Sequence, residues 1–340
     1  MSALILTLET TCDETAAAVV DLELRVHGAT VATQDDLHST YGGVVPEIAS
    51  RAHLERILPV IDETLRRAGI APRELAAIAV ANRPGLAGSL LVGLAAAKTL
   101  CVTLGKPLIG INHLQGHIYA GRIAAERDIF PCVGLIASGG HTSLYRCRSA
   151  LDFAVLGGTI DDAAGESFDK VAAMLGLPYP GGPHLERAAA EGNPKAYDFP
   201  RSFLRDPQRL EFSFSGLKTA VRYALAGQNG ALPRPPFDPR IVRDVAASFQ
   251  AAVADCLTIK AVQALERENL RTLCFAGGVA ANRTIGKQLR AACETRGYEL
   301  IVPPPSLCTD NAVMGAIAVE RFKAGLFDEL DLDIVPGLER

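Results

Sequence analysis

Apolar and polar positions along this chain fall into one order that occurs twice. In the first half LILTLETT predicts a strand, CDET a turn and AAAVVDL a second strand, a hairpin with an acidic tip. GATVATQ predicts a third strand. Residues 46–68, PEIASRAHLERILPVIDETLRRA, carry apolar side chains at helical spacing and stop at Gly69. LAAIAVA then reads as a buried strand, LAGSLLVGLAAAKTL as a helix, and PLIGI as a strand that runs into NHLQGHIYAG.

From residue 131 the order returns. PCVGLIAS and SLYRCRS flank a glycine-rich tip, FAVLGG is the third strand, and DAAGESFDKVAAMLG is a helix. After an irregular stretch come the long helix VRDVAASFQAAVADCLTIKAVQALERE, the strand TLCFAGG, a helix at AANRTIGKQLRAACETRG, the strand ELIVPP and a last helix at TDNAVMGAIAVERFKAG. Each half therefore reads β-β-β-α-β-α-β-α. The duplication predicts an α/β protein of two similar lobes with mixed sheets, residues 1–120 and 121–327, an insertion at about 178–240 and a tail at 328–340. Such lobes take ligand in the cleft between them, where strand ends and glycine turns converge.

Composition narrows the class. Hydrophobic residues make up 49% and charged residues 21%, as in a globular enzyme, and the net charge of −4 excludes an all-over basic coat for nucleic acid. One span, 187–243, has ten Lys/Arg against five Asp/Glu; it reads either as a landing place for a polyanion or as a solvated insertion. The eight cysteines form no C-x-x-C pair and sit in apolar stretches, which suits reduced core thiols in a cytoplasmic protein. The N-terminus reaches polar ETTCDET by residue 9, unlike a signal peptide, and the apolar segment 85–105 is broken by Lys98 and glycines, unlike a membrane span.

His113 and His117 are four apart, on one face of a helix. Their segment follows the last strand of the first half, and TDNAVMGA follows the last strand of the second. Pseudo-symmetric lobes would bring Asp310 across to the two imidazoles, a donor set that leaves coordination positions open for substrate. A zinc protease is excluded, because H-E-x-x-H needs glutamate where Leu114 stands. Ser138, Gly139 and Gly140 offer backbone N–H groups to an anion, and FAGGVAAN, with Asn282, offers a second glycine loop at a helix start. Asp162, Glu166 and Asp169 at helical spacing suit ribose hydroxyls or a cation; YPGGPHLE adds a turn and Glu186. Asp13 and Glu14 at the first hairpin tip can order water or a cation or act as a general base, or simply make the turn.

ETTCDET, YGGVVPEIASRAH, NHLQGH, ASGGHT, DDAAGESFDK, YPGGP, FSFSGLKT, AGGVAANR and CTDNAVMGA occur in that order. Together they closely resemble the tRNA threonylcarbamoyladenosine transferase family, bacterial TsaD type, over about residues 4–327. The resemblance implies the actin-like, sugar-kinase-like (ASKHA) fold of duplicated ribonuclease H-like lobes. It implies transfer of a threonylcarbamoyl group from threonylcarbamoyl-adenylate to the exocyclic amine of the tRNA adenosine beside the anticodon, with release of AMP. Carried over, His113, His117 and Asp310 are metal ligands, for Fe(II) in preference to Zn. The backbone of Ile136, Ala137, Ser138, Gly139 and Gly140, with Asp169, Gly182, Glu186 and Asn282, is the nucleotide-binding set. Implied partners are tRNA, a small paralogous subunit of the TsaB type, a P-loop ATPase of the TsaE type and an upstream adenylate synthase of the TsaC type, with no membrane. The alternatives on the same fold are an ATP-dependent kinase and a non-catalytic scaffold paralogue. One departure is local: Asn82-Arg83 stands before the Pro-Gly where the family usually has a small residue and glycine.

Overall fold

The computed structural model describes residues 2–226, 230 and 235–337. It divides into two units, Met1–Arg127 with Thr309–Arg340, and Asp128–Cys308.

The first unit begins with β1 (Leu4–Glu9), β2 (Glu14–Asp21) and β3 (Val26–Thr33), an antiparallel meander. A short α1 (Asp35–Ser39) leads to α2 (Pro46–Ala68), which starts on Pro46 and ends on Gly69 at φ 67°, a conformation that glycine adopts without steric cost. β4 (Leu75–Arg83), α3 (Ala87–Leu104), β5 (Leu108–Asn112) and α4 (His113–Ala125) follow. The sheet runs β3-β2-β1-β4-β5, with β1, β4 and β5 parallel. Its central strands are apolar on both faces because both are covered. Leu6, Leu8, Val19, Ile78 and Val80 meet Ile57, Ile61 and Leu94 of α2 and α3 on one face. On the other, Ala16 and Ala18 are small enough for Ala312 to pack against them.

The second unit repeats the plan. Its strands are β6 (Cys132–Ala137), β7 (Thr142–Ser149), β8 (Asp152–Gly158), β9 (Thr272–Ala276) and β10 (Glu299–Ile301), in the order β10-β9-β6-β7-β8. Its helices are α5 (Ala164–Met174), α6 (Gly181–Ala189), α7 (Ser215–Ala226), α8 (Pro239–Glu268), α9 (Arg283–Arg296) and a single turn, α10 (Pro305–Cys308). The core gathers around α8, where Phe249 stacks edge-on against Phe168 at 5.2 Å between centroids. α3 and α8 are apolar and long enough to cross a membrane by composition; α8 is buried along most of its length and α3 buries one face on its sheet.

The end of the chain departs from the sequence reading. The stretch expected to be one helix is a tight 3-10 segment, Ala312–Ile317, followed by α11 (Ala318–Lys323). It lies too close to the sheet for a bulkier residue at 315: a Cβ on Gly315 would fall 2.9 Å from Thr7 Cβ. Thr309 onward therefore packs with the first unit, and the first boundary falls after Arg127 rather than residue 120. The tail is tied down by Asp328 N–H to Leu108 O (2.9 Å) and Gly110 N–H to Asp328 Oδ2 (2.7 Å). Asn82 explains its own departure: its Nδ2 donates to Asp333 O and its carbonyl accepts from Val335 N–H.

In the 187–243 span, Arg201, Arg209, Lys218 and Arg243 lie 2.6–2.9 Å from Asp255, Glu211, Asp162 and Glu191. Glu191 and Glu211 belong to the span itself, so only Asp255 and Asp162 offset part of its cationic excess; Arg234 lies outside the described residues.

Candidate metal centre and nucleotide-binding loops

Asn112 caps α4, its Oδ1 accepting from Leu114 N–H at 2.9 Å, so the helix starts at His113 and sets His113 and His117 one turn apart. The two rings meet edge to face, centroids 4.6 Å apart. Gly116 between them faces Met314: a Cβ there would lie 3.2 Å from Met314 O, so the absence of a side chain lets the 3-10 segment come close. That segment is capped by Asn311, and Asp310 precedes it with Oδ1 3.1 Å from His117 Nε2 and 3.6 Å from His113 Nε2. The expected trio is brought together, but within the first unit. Asp310 does not come from the second lobe, because the chain has already returned at Thr309.

The donor set fits a cation. His117 is 0% exposed, and neither ring nitrogen makes a hydrogen bond; Nε2 sits near Asp310 without the geometry for one. A buried imidazole with no partner is costly unless its lone pair has another use. Burial alone would lower the pKa of His113, but the negative charges of Glu9 and Asp310 outweigh it and raise His113 to about 9. Two imidazoles and a carboxylate whose donor atoms all lie within 4.8 Å of one another are a donor set suited to iron or zinc.

Asp13, Glu14 and Asp35 form a second acidic group, their oxygens within 4.8 Å of one another. Burial raises the pKa of both Asp13 and Glu14, reinforced by Asp310, and Glu14 reaches about 10 from an ordinary 4.5. The metal-free folded protein thus holds a proton on Glu14 that the unfolded chain releases. Because the folded state binds more protons across that window, stability should fall as pH rises from about 4.5 to 10. Metal-free Glu14→Gln should show a flatter decline, read from denaturant midpoints at a series of pH values. The sequence reading missed the residue that holds this tip. His53, on the apolar face of α2, donates from Nε2 to Cys12 O (3.0 Å) and accepts at Nδ1 from Thr15 Oγ1 (2.8 Å).

In the second unit Ile136 and Ala137 are buried ladder residues of β6. Ser138 is buried too, its N–H donating to His141 O and its Oγ accepting from His141 N–H, so only Gly139 and Gly140 are exposed at this strand end. Gly277 takes φ 91°, and a Cβ there would strike Ala137 O, so the two glycine loops lie back to back. Asp169 Oδ1 accepts from Gly181 N–H (2.8 Å), Gly182 is open to any approach, and Glu186 Oε1 accepts from Arg283 N–H (2.7 Å). Asn282 is largely engaged: its Oδ1 caps α9 and its Nδ2 donates to Gln250 Oε1. Of the expected nucleotide set, Asp169 is thus tied to the start of α6 and Glu186 to the start of α9. Asp162 stands before α5 and is matched by Lys170 and Lys218, while Glu166 pairs with Lys170, so like-charge repulsion along that helix is relieved by lysines. Asp161, absent from the sequence reading, fixes FSFSG by accepting from Ser213 Oγ, Phe214 N–H and Ser215 Oγ.

Residues 25–317 match the family model described as TsaD, tRNA N6-adenosine threonylcarbamoyltransferase. The enzyme so named from Rhodopirellula baltica is 56% identical over 351 aligned residues, covering 100% of this chain and 98% of that one. The one from Symbiobacterium thermophilum is 52% identical, covering 98% and 96%. Among solved structures, full-length HypF in its phosphate- and nucleotide-bound form aligns with a TM-score of 0.62 at 14% identity, over 96% of this chain and 47% of that one. The activator of the 2-hydroxyisocaproyl-CoA dehydratase from Clostridium difficile with bound ADPNP aligns at 0.53 and 14%, over 96% and 97%. The last two share the actin-like fold of duplicated mixed-sheet lobes.

Proposed function

This chain belongs to the tRNA N6-adenosine threonylcarbamoyltransferase family, and on that premise we propose that it transfers the threonylcarbamoyl group of threonylcarbamoyl-adenylate to the exocyclic amine of the adenosine beside the anticodon in tRNAs reading codons that begin with A. The observation that carries the reading is the buried, hydrogen-bond-free imidazole of His117 beside His113 and Asp310, a donor set for a Lewis acid.

The donor is a mixed anhydride and already activated, so no covalent enzyme nucleophile is needed. The loop Ser138–Gly140, with Asp169, Gly182, Glu186 and the start of α9 at Asn282, holds the adenylate. His113, His117 and Asp310 hold one divalent cation, Fe(II) in preference to Zn, which when bound supplies Lewis acidity to the carbamoyl oxygen. Positioning the amine supplies much of the remaining barrier reduction. The amine nitrogen bonds to the carbamoyl carbon, the carbon–oxygen bond to the phosphate breaks, and AMP leaves with the electron pair. Asp13 and Glu14 compete for one proton in their buried pair, and the ionised member takes the proton the amine releases.

The protein works in the cytoplasm with a TsaB-type paralogue, a TsaE-type ATPase and an adenylate supplied by a TsaC-type synthase. The paralogue docks on the outer face of α2, where Leu54 and Leu58 are 69% and 67% exposed, four residues apart. Leu54→Glu with Leu58→Glu should abolish capture of the paralogue in a pull-down and leave the fold unchanged; undiminished capture rejects this face. The activity itself is tested by incubating the chain and its partner subunits with threonylcarbamoyl-adenylate and unmodified tRNA. Mass analysis of the digested nucleosides should show the threonylcarbamoyl adduct of adenosine, and its absence overturns the assignment.

A further inference from the structure

We propose that Glu9 is the positioning residue of the metal centre, fixing by one carboxylate both the tautomer of His113 and the path of the chain into the acidic hairpin tip. Glu9 is the last residue of β1, in the middle of the first sheet, and is 1% exposed. A carboxylate in such a place is costly unless its oxygens are engaged. No Lys or Arg among the described residues pairs with it; its partner is the imidazole of His113, whose Nδ1 lies 3.0 Å from Oε2. The other oxygen, Oε1, accepts from Thr11 N–H at 2.7 Å, and Thr11 Oγ1 returns to the same His113 Nδ1 at 3.1 Å.

An ionised carboxylate only accepts, so in the neutral ring that a metal requires, with the Nε2 proton displaced, Nδ1 is the nitrogen of His113 that carries the proton. The lone pair of Nε2 is then left on the side of Asp310 and His117. A carboxylate behind a ligand imidazole orients the ring and raises its basicity toward a metal. The two histidines are therefore unequal, since His117 has no such backing. Because Thr11 leads directly into Cys12 and Asp13, the same group also couples the position of His113 to the tip.

This inference rests on the metal reading above, and the test separates the two. The metal-free full chain and its Glu9→Gln variant are titrated with Co(II) and with Zn(II) against a competing chelator. The parent should take up one ion, and Glu9→Gln should bind about 10–100-fold more weakly with altered Co(II) visible bands. A variant that binds within twofold of the parent with an unchanged spectrum overturns the role of Glu9 and leaves the metal reading standing. A parent that binds neither ion overturns both. A measurement on the parent alone covers the case in which the variant fails to fold. In the long-range proton–nitrogen spectrum of the 15N-labelled, Zn(II)-loaded chain, His113 should carry its proton on Nδ1 with the metal on Nε2. The reverse assignment overturns the proposal.

Discussion

His117→Ala should leave a protein that folds, takes up no metal and has lost about a hundredfold or more of its transfer rate, a barrier increase of about 3 kcal/mol. The sign of the stability change identifies the cause. An imidazole that only packed would leave a cavity, and its removal would destabilise the metal-free and metal-loaded forms alike. His117 instead holds two buried nitrogens without hydrogen bonds, so deleting it removes a desolvation cost that offsets part of the cavity. The metal-free parent and variant should therefore melt within a few degrees of each other. The rise in melting temperature on adding Zn(II) or Fe(II), which binding to the folded state produces, should vanish in the variant. A variant that still gains stability from metal contradicts the ligand assignment.

The largest stability effect is expected within the second unit, at Lys260. It is the lone cation in an apolar stretch of α8, is 1% exposed, and donates to three backbone carbonyls: Phe203 at 2.7 Å, Asp206 at 3.0 Å and Arg209. These carbonyls belong to a loop with little regular structure, in which Phe203 adopts φ 61° and the Arg209 guanidinium lies 3.6 Å over the Phe203 ring. Lys260→Met keeps the stem and removes the ammonium. Each carbonyl left unpaired in the interior costs about 1–3 kcal/mol, so the loop should lose about 3 kcal/mol or more of local stability. With two units the global transition need not be two-state, so hydrogen exchange is the proper readout. Amides of residues 199–212 should exchange about a hundredfold faster, while those of β1 and β4 keep their protection. Unchanged exchange in the loop would show that the lysine is dispensable.

Periodicity and punctuation predicted most of the elements because local chemistry decides them. α2 runs from Pro46 to the residue before Gly69, as its proline start and glycine stop dictate. The histidine pair was legible for the same reason, as neighbours one turn apart. Asp310 was found by counting strands in two matching halves, but the count could not show that the chain crosses back before reaching it. The final helix was misread because its first turn is set by the close approach of Gly315 to Thr7, across most of the sequence. Glu9 and His53 act on partners 104 and 41 residues away and look from the sequence like the end of a strand and one polar residue on a helix face. The apparent repulsion among Asp162, Glu166 and Asp169 was answered partly by Lys218, in a helix well beyond their own.

The whole second unit is inserted between Arg127 and Thr309 of the first. During synthesis both imidazoles of the donor set leave the ribosome early, whereas the acid that completes it emerges only after the entire second unit. A nascent chain therefore offers incoming ions an incomplete trio for most of its translation. A product cut short before Thr309 keeps the second unit's full sequence yet lacks Asp310, the third donor of the candidate set.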